Sequence, residues 1–543
     1  MIALTRNERR AALLGGAAAV GFIALAIVIP VAALLLSGIG ENASTTVFDS
    51  YLWRITHFTL YQAILSTLLS VVLAIPLARA IARRPDFPGR KWVLRLFVVP
   101  LGLPQLVAAL GLLTIWGRQG VVNSALVGLG MSEPFSIYGL SGILLAHVFF
   151  NLPLATRLML MGLERLPQEY WKNAAVLGVT GWSAFRLIEW PALIKPAASA
   201  AGLIFMLCVT SFTLVLVLGG GPASTTLEVA IYQALRFDFD PSRAVFLALI
   251  QIALTVIALS LIAIFGGREE TSHLHATGIA RPDVKGGWRS LHDWIPIALA
   301  TIFVLSPILA TVVSGLAADL TRLVNDPVFW RATATSLGIA CVAACISIVT
   351  ALFLIRARLG KVANPDDHIE NLLRRAAGAS GSLVLLLPPV VLGAGWFLLF
   401  SGARGSLALP LAIIILINAL MALPFVMRVL ESAYRTAMHR NGQLALSLGI
   451  TGWNRIFRID LPALAIPLGS AFAFAMALSL GDLGAVALFG NENLTTLPFL
   501  LLQKMGSYRT ADAAGLALLL TILCVGLMAI ADRSSNSGGG TRS

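Results

Sequence analysis

Long apolar blocks, each bounded by a short polar stretch, run the length of this chain. About 20 apolar residues cross the ~30 Å hydrocarbon core of a bilayer as a helix. That template predicts spans at 12–36, 58–78, 93–115, 138–161, 197–218 and 244–265. Six more follow at 293–315, 332–355, 382–400, 407–427, 466–489 and 513–531. A spanning backbone must satisfy its hydrogen bonds internally, and these runs are not the short alternating strands of a barrel. The pattern therefore predicts an all-α membrane protein with about 12 transmembrane helices. The first block follows Arg6-Asn7-Glu8-Arg9-Arg10, as a signal peptide would. At about 25 residues it exceeds an h-region and reads as an uncleaved anchor.

Composition agrees: 58% of residues are hydrophobic and 12% charged, against about 25% charged in soluble domains. The net charge of +13 raises the question of nucleic acid. The basic residues form no contiguous stripe, however. They sit in short loops, where cytoplasmic flanks of membrane helices attract Lys and Arg. With both termini in the cytoplasm, about 30 of the 39 Lys and Arg fall inside, so the expected partner is a lipid bilayer and not nucleic acid. Arg79, Arg83, Arg84, Arg90, Lys91 and Arg95 then share one cytoplasmic loop; Arg356, Arg358, Lys361, Arg374 and Arg375 share its counterpart.

That counterpart belongs to an internal repeat. Lys172-Asn173-Ala174-Ala175-Val176-Leu177-Gly178 leads to Ile188-Glu189-Trp190-Pro191, and Gln443-Leu444-Ala445-Leu446-Ser447-Leu448-Gly449 leads to Ile459-Asp460-Leu461-Pro462. Each Ile comes ten residues after its Gly and each Pro three after its Ile, and Gly181-Trp182 matches Gly452-Trp453; every pair is 271 apart. A shared frame over that distance signals duplication. Six spans per half make the repeats parallel in topology, related by an axis along the membrane normal. The predicted organisation is a first half at 1–268, a cytoplasmic linker at 269–292, a second half at 293–532 and a disordered tail at 533–543. Each repeated loop reads as a short helix ended by Gly178 or Gly449, a turn, and a second helix running into the proline. A connector lying on the membrane surface would have no reason to keep one Gly-to-Pro spacing twice, so docking of another protein is the expected role.

Ala-rich sequence followed by this Gly-to-Pro spacing resembles the cytoplasmic loop of inner-membrane subunits of ATP-binding-cassette importers. Where that family has Glu-Ala-Ala, this chain has Lys172-Asn173-Ala174 and Gln443-Leu444-Ala445, so the Glu is absent from both copies. The two fused halves resemble iron(III) and thiamine importers. Gly117-Arg118-Gln119-Gly120, the stretch from Leu144 to Pro153, Leu218-Gly219-Gly220-Gly221-Pro222, Gly481-Asp482 and Gly506-Ser507-Tyr508-Arg509 are most similar to thiamine/thiamine pyrophosphate permeases. The resemblance implies a channel subunit fed by a periplasmic substrate-binding protein in a bacterial inner membrane. Two copies of a separate cytoplasmic ATPase would act on Lys172, Ala174, Gly178, Ile188 and Pro191, and on Gln443, Ala445, Gly449, Ile459 and Pro462. The chain itself is expected to bind no ATP: of its Lys residues only Lys361 follows a Gly, and Val362 stands where a P-loop needs Ser or Thr. The same machine carrying iron(III) or another small solute, and an ion-coupled secondary transporter, remain as alternatives.

Polar groups inside spans are candidates for a transport path. Asp482 either meets a cationic substrate or caps a helix near the outer interface. His147 and Asn151, four apart on one face, bond between helices or contact substrate. Asp238, Asp240 and Glu492 lie in outer loops, either docking a binding protein or standing as solvated turns. Cys208, Cys341, Cys345 and Cys524 read as small buried apolar residues, and no metal site or bound cofactor is expected.

Overall fold

The computed structural model describes residues 5–38, 50–130, 135–265, 291–360, 368–400 and 408–537. The linker expected at 269–292 lies almost wholly outside these residues. Those described are nearly all helical, and eleven of their helices are long and apolar enough to cross a membrane.

The remaining expected span, 382–400, the ninth along the chain, is broken. Helix His368–Val384 ends, the chain turns, and an apolar helix of 12 residues restarts at Pro389–Phe400. Pro388-Pro389 explains the break, since a proline supplies no N–H and disfavours helical geometry in the residue before it. Other spans are interrupted too. Pro100 and Pro104 split 93–115 into short helices before Gln105–Trp116. The span at 197–218 divides at Thr210 into Trp190–Val209 and Thr213–Leu218, and that at 466–489 divides at Asp482 into Leu461–Gly481 and Gly484–Phe489. At the other end, helix Thr510–Ser537 runs into the stretch expected to be a disordered tail.

Packing divides the chain differently from the 1–268 and 293–532 halves. One compact unit comprises 48–230 and 250–318; the other comprises 1–47, 231–249 and 319–543. The first span of each sequence half thus belongs to the unit built mainly from the other half.

In the unit containing most of the first half, helices Ser50–Arg83, Leu140–Glu164 and Trp190–Val209 pack together. Helix Leu291–Leu316 joins them along Ser50–Arg83 and Gln105–Trp116. Lipid tails are as apolar as leucine, so close packing and polar contacts must hold such helices together. Gly111 provides the close approach: a Cβ there would stand 2.4 Å from the carbonyl oxygen of Pro307. Arg83 and Arg84, each 3.4 Å from Asp293, add a polar staple at the helix ends.

The unit containing most of the second half repeats this plan. Helices Pro327–Leu359, Ala408–Ser447, Leu461–Gly481 and Thr510–Ser537 form its body. Helix Arg6–Gly38 packs on Pro327–Leu359, His368–Val384 and Pro389–Phe400. A Cβ on Gly395 would stand 2.3 Å from the Pro30 carbonyl oxygen, and one on Gly16 2.3 Å from the Ala357 Cβ. Arg9 and Arg374 both pair with Glu370, the second at 2.9 Å. Leu25, Val28, Leu299 and Ile302 on the two exchanged helices face outward, as lipid-facing side chains do.

Cys341 and Cys345 correct the expectation of buried cysteines. Both lie on the outer face of helix Pro327–Leu359, while Cys208 and Cys524 are buried. Thiols are apolar enough to face lipid.

Candidate functional site

Each unit carries one copy of the repeated loop, and the two copies have matching backbones. In the first, Pro167 ends the preceding helix and opens Gln168–Val176. Val179 N–H donates to the Ala174 carbonyl at 2.8 Å and Gly178 N–H to the Ala175 carbonyl at 3.2 Å. This is a Schellman cap, and Gly178 has the positive φ of 66° it requires. In the second copy Ile450 N–H donates to the Ala445 carbonyl at 2.9 Å, and Gly449 has φ 65°. Here the preceding helix runs unbroken to Ser447, because Met438 stands where the first copy has Pro167. Ala174 and Ala445 are buried, so their small side chains fit beneath the cap they close.

The turn that follows is also duplicated. Gly181 and Gly452 have φ 61° and 62°. Each copy then widens into a π-helical turn, Phe185–Glu189 and Ile456–Asp460, with Trp190 N–H bonding the Phe185 carbonyl and Leu461 N–H the Ile456 carbonyl. The Ile-to-Pro spacing gives this turn a cause. Pro191 and Pro462 offer no N–H to the carbonyl four residues back and crowd it, so the backbone widens just before each proline. Ile188 and Ile459 sit half-buried in these turns, while Pro191, Pro462, Lys172 and Gln443 are exposed.

Each loop presents apolar side chains outward. Leu177 and Trp182 in the first copy, and Leu448 and Trp453 in the second, are exposed, the two tryptophans by 73% and 75%. Exposed apolar side chains clustered on a protruding element mark an interaction surface.

The anchors beneath the loops differ. In the first copy Glu189 is buried and pairs with Arg79, whose guanidinium also donates to the Gly181 carbonyl at 3.2 Å and lies over the Phe185 ring. In the second copy Asp460 meets Arg455 at 3.7 Å, and Arg455 is wholly buried. Glu8, from the N-terminal helix, completes this anchor. Its Oε1 accepts from Gly452 N–H at 2.9 Å and its Oε2 lies 3.5 Å from Arg455. In sequence Glu8 stands within a basic flank, and nothing local points to a contact 444 residues away.

The other candidates separate by unit. His147 Nδ1 lies 2.9 Å from Ser66 Oγ, and the Asn151 amide donates to Cys208 Sγ at 3.4 Å. Gln62 donates to the Cys208 carbonyl at 2.9 Å and Gln251 to the Val209 carbonyl at 3.3 Å. These side chains converge on the point where helix Trp190–Val209 stops. The other unit has the equivalent: Asn418 donates to Ser479 Oγ at 2.8 Å, beside a small cavity lined by Ser336, Asn418, Ser479, Asp482 and Thr496. The Asp482 carboxylate accepts from Gly484 and Ala485 N–H at 3.3 and 3.4 Å, capping the helix that follows it.

Asp238 and Glu492 are exposed, and Asp240 accepts from Arg243 N–H at 3.0 Å at the start of helix Pro241–Phe265. Arg236 donates to the Gly490 carbonyl at 2.9 Å, which tethers the 237–240 turn to the 490–493 turn. Among the described residues no three His, Cys, Asp or Glu side chains gather as metal ligands would.

Duplicated helical units, each with a capped and protruding loop, are the architecture of an importer's membrane subunit. The family model for the binding-protein-dependent transport system inner membrane component matches residues 70–270 and 368–535, and the chain belongs to that family. It is a multi-pass membrane permease. It is 49% identical over 508 residues to the thiamine transport system permease protein ThiP of Brucella abortus (strain 2308), covering 93% of this chain and 92% of that protein. It is also similar to the ThiP proteins of Salmonella typhimurium, 43% identical with 97% and 98% covered, and of Escherichia coli K12, 44% identical with 89% of each covered.

Proposed function

We propose that this chain is the channel-forming subunit of an ATP-binding-cassette importer that moves thiamine, thiamine phosphate or thiamine pyrophosphate into the cytoplasm. The observation that carries the substrate is the 49% identity, over nearly the whole chain, to permeases named for thiamine transport. Two copies of a cytoplasmic ATPase dock on the loops at 172–191 and 443–462, where exposed Trp182 and Trp453 supply apolar contact. The termini lie on that same side. A periplasmic binding protein delivers substrate on the other, where Asp238, Asp240 and Glu492 offer acidic docking points. Coupling requires an element with two arrangements that both sites bias. Each loop is continuous with a spanning helix through its π turn, so displacement of the loop reaches that helix directly.

Reconstitution of the chain with its ATPase and binding protein in proteoliposomes tests the substrate. Thiamine compounds should stimulate ATP hydrolysis. Stimulation by iron(III) and not by thiamine would assign the same machine to a metal cargo instead.

A further inference from the structure

The polar cluster at the end of helix Trp190–Val209 contains an acid that no role so far described uses. Glu228 lies at the second position of helix Leu227–Arg236 and is wholly buried. Neither of its carboxylate oxygens has a hydrogen-bond partner, and no basic side chain among the described residues forms an ion pair with it. Its surroundings are linked by bonds. Leu227 N–H donates to Thr59 Oγ1 at 3.0 Å, the Thr59 carbonyl accepts from Gln62 at 3.1 Å, and Gln62 also holds the Cys208 carbonyl. In this unit Gln62 Oε1, Gln251 Oε1, Ser211 Oγ, Thr226 Oγ1, His147 Nε2 and both oxygens of Glu228 are buried without a partner.

The other unit shows what a satisfied version looks like. Ser336 there accepts from Leu497 N–H at 2.8 Å, as Thr59 accepts from Leu227. By the 271-residue register Asp482 stands where this unit has Ser211, and Asn418 where it has His147. Asp482 is held by two backbone N–H groups. In the adjoining stretch the register is 270, set by Thr225-Thr226-Leu227 against Thr495-Thr496-Leu497, and there Pro498 occupies the place of Glu228. Each unit therefore keeps one carboxylate in the cluster, from opposite walls, and only in the first half is it left without a donor.

A buried carboxylate with no partner is costly unless it is neutralised or meets a cation. We propose that Glu228, tied to Gln62 through Leu227 and Thr59, is a binding site for an organic cation in transit, of the thiazolium class. This rests on the substrate reading above. The rival account is a protonated acid that merely favours the start of its helix, and it predicts that an uncharged isostere would serve as well.

The test uses the complete importer in proteoliposomes, with thiamine-loaded binding protein outside. Glu228→Gln should still hydrolyse ATP in response to the loaded binding protein but move about tenfold less thiamine per ATP. Glu228→Asp, which keeps the charge, should recover part of that loss. Glu228→Gln transport equal to the unaltered complex would overturn the site and leave the substrate reading intact. If Glu228→Gln fails to assemble, direct thiamine binding to the detergent-purified complex decides through Glu228→Asp: binding at weakened affinity supports the site, and unchanged affinity overturns it. An unaltered complex that moves no thiamine would overturn the substrate reading itself.

Discussion

Gly178 and Gly449 each hold a left-handed φ that closes a helix cap, with open space where a Cβ would project. Substitution there is therefore a backbone problem and not a clash. An L-residue with a side chain costs roughly 1–2 kcal/mol in that conformation. Asp also places charge on a loop whose exposed neighbours are apolar. Gly178→Asp or Gly449→Asp should abolish ATP-driven uptake while the protein still inserts; normal uptake by either variant would remove the loops from coupling. Glu8 is the other residue with an outsized role. It binds Gly452 N–H and the buried Arg455 together, so Glu8→Gln leaves that cation with less compensation. Removing one partner of a buried pair costs several kcal/mol, about 1–3 kcal/mol here because Asp460 still pairs with Arg455. Hydrogen exchange should accelerate over 449–460 and stay unchanged over 178–189, where Arg79 and Glu189 form the anchor. Equal acceleration in both loops would contradict that assignment.

Among the elements, the spacing of the repeated loops was legible because each signature residue has a local backbone job. Glycine takes positive φ, alanine fits under the cap, and proline forces the widened turn. The breaks at Pro104 and at Pro388-Pro389 fall at prolines, but a proline by itself does not mark a break, since Pro30, Pro153, Pro307 and Pro424 lie inside continuous helices. Glu228 was missed for a different reason. The match of Thr225-Thr226-Leu227 to Thr495-Thr496-Leu497 stops one residue before it, and the divergence to Pro498 is the signal that could have found it. The packing of the two first spans was not legible, because lipid-facing and protein-facing apolar residues look alike in sequence. Gly395 and Gly111 are where that packing is most exposed to substitution. Gly395→Leu or Gly111→Leu drives a side chain into a backbone carbonyl and should cost about 1–3 kcal/mol or more. A midpoint of thermal unfolding in detergent unchanged from the unaltered protein would refute the close approach.

At the scale of the whole molecule, the chain has the two-fold duplicated form of a permease and lacks a P-loop in its sequence. In the importer proposed above it is a conduit whose work a separate ATPase supplies through the two loops. Purified alone, the chain should hydrolyse no ATP. The most direct measurement is uptake of labelled thiamine into proteoliposomes, assembled with and without the ATPase and the binding protein. Uptake is expected only with all three components present, the binding protein and thiamine outside and ATP sealed inside, on the side of the repeated loops. Uptake by this chain alone, driven by an imposed proton or sodium gradient, would contradict that expectation.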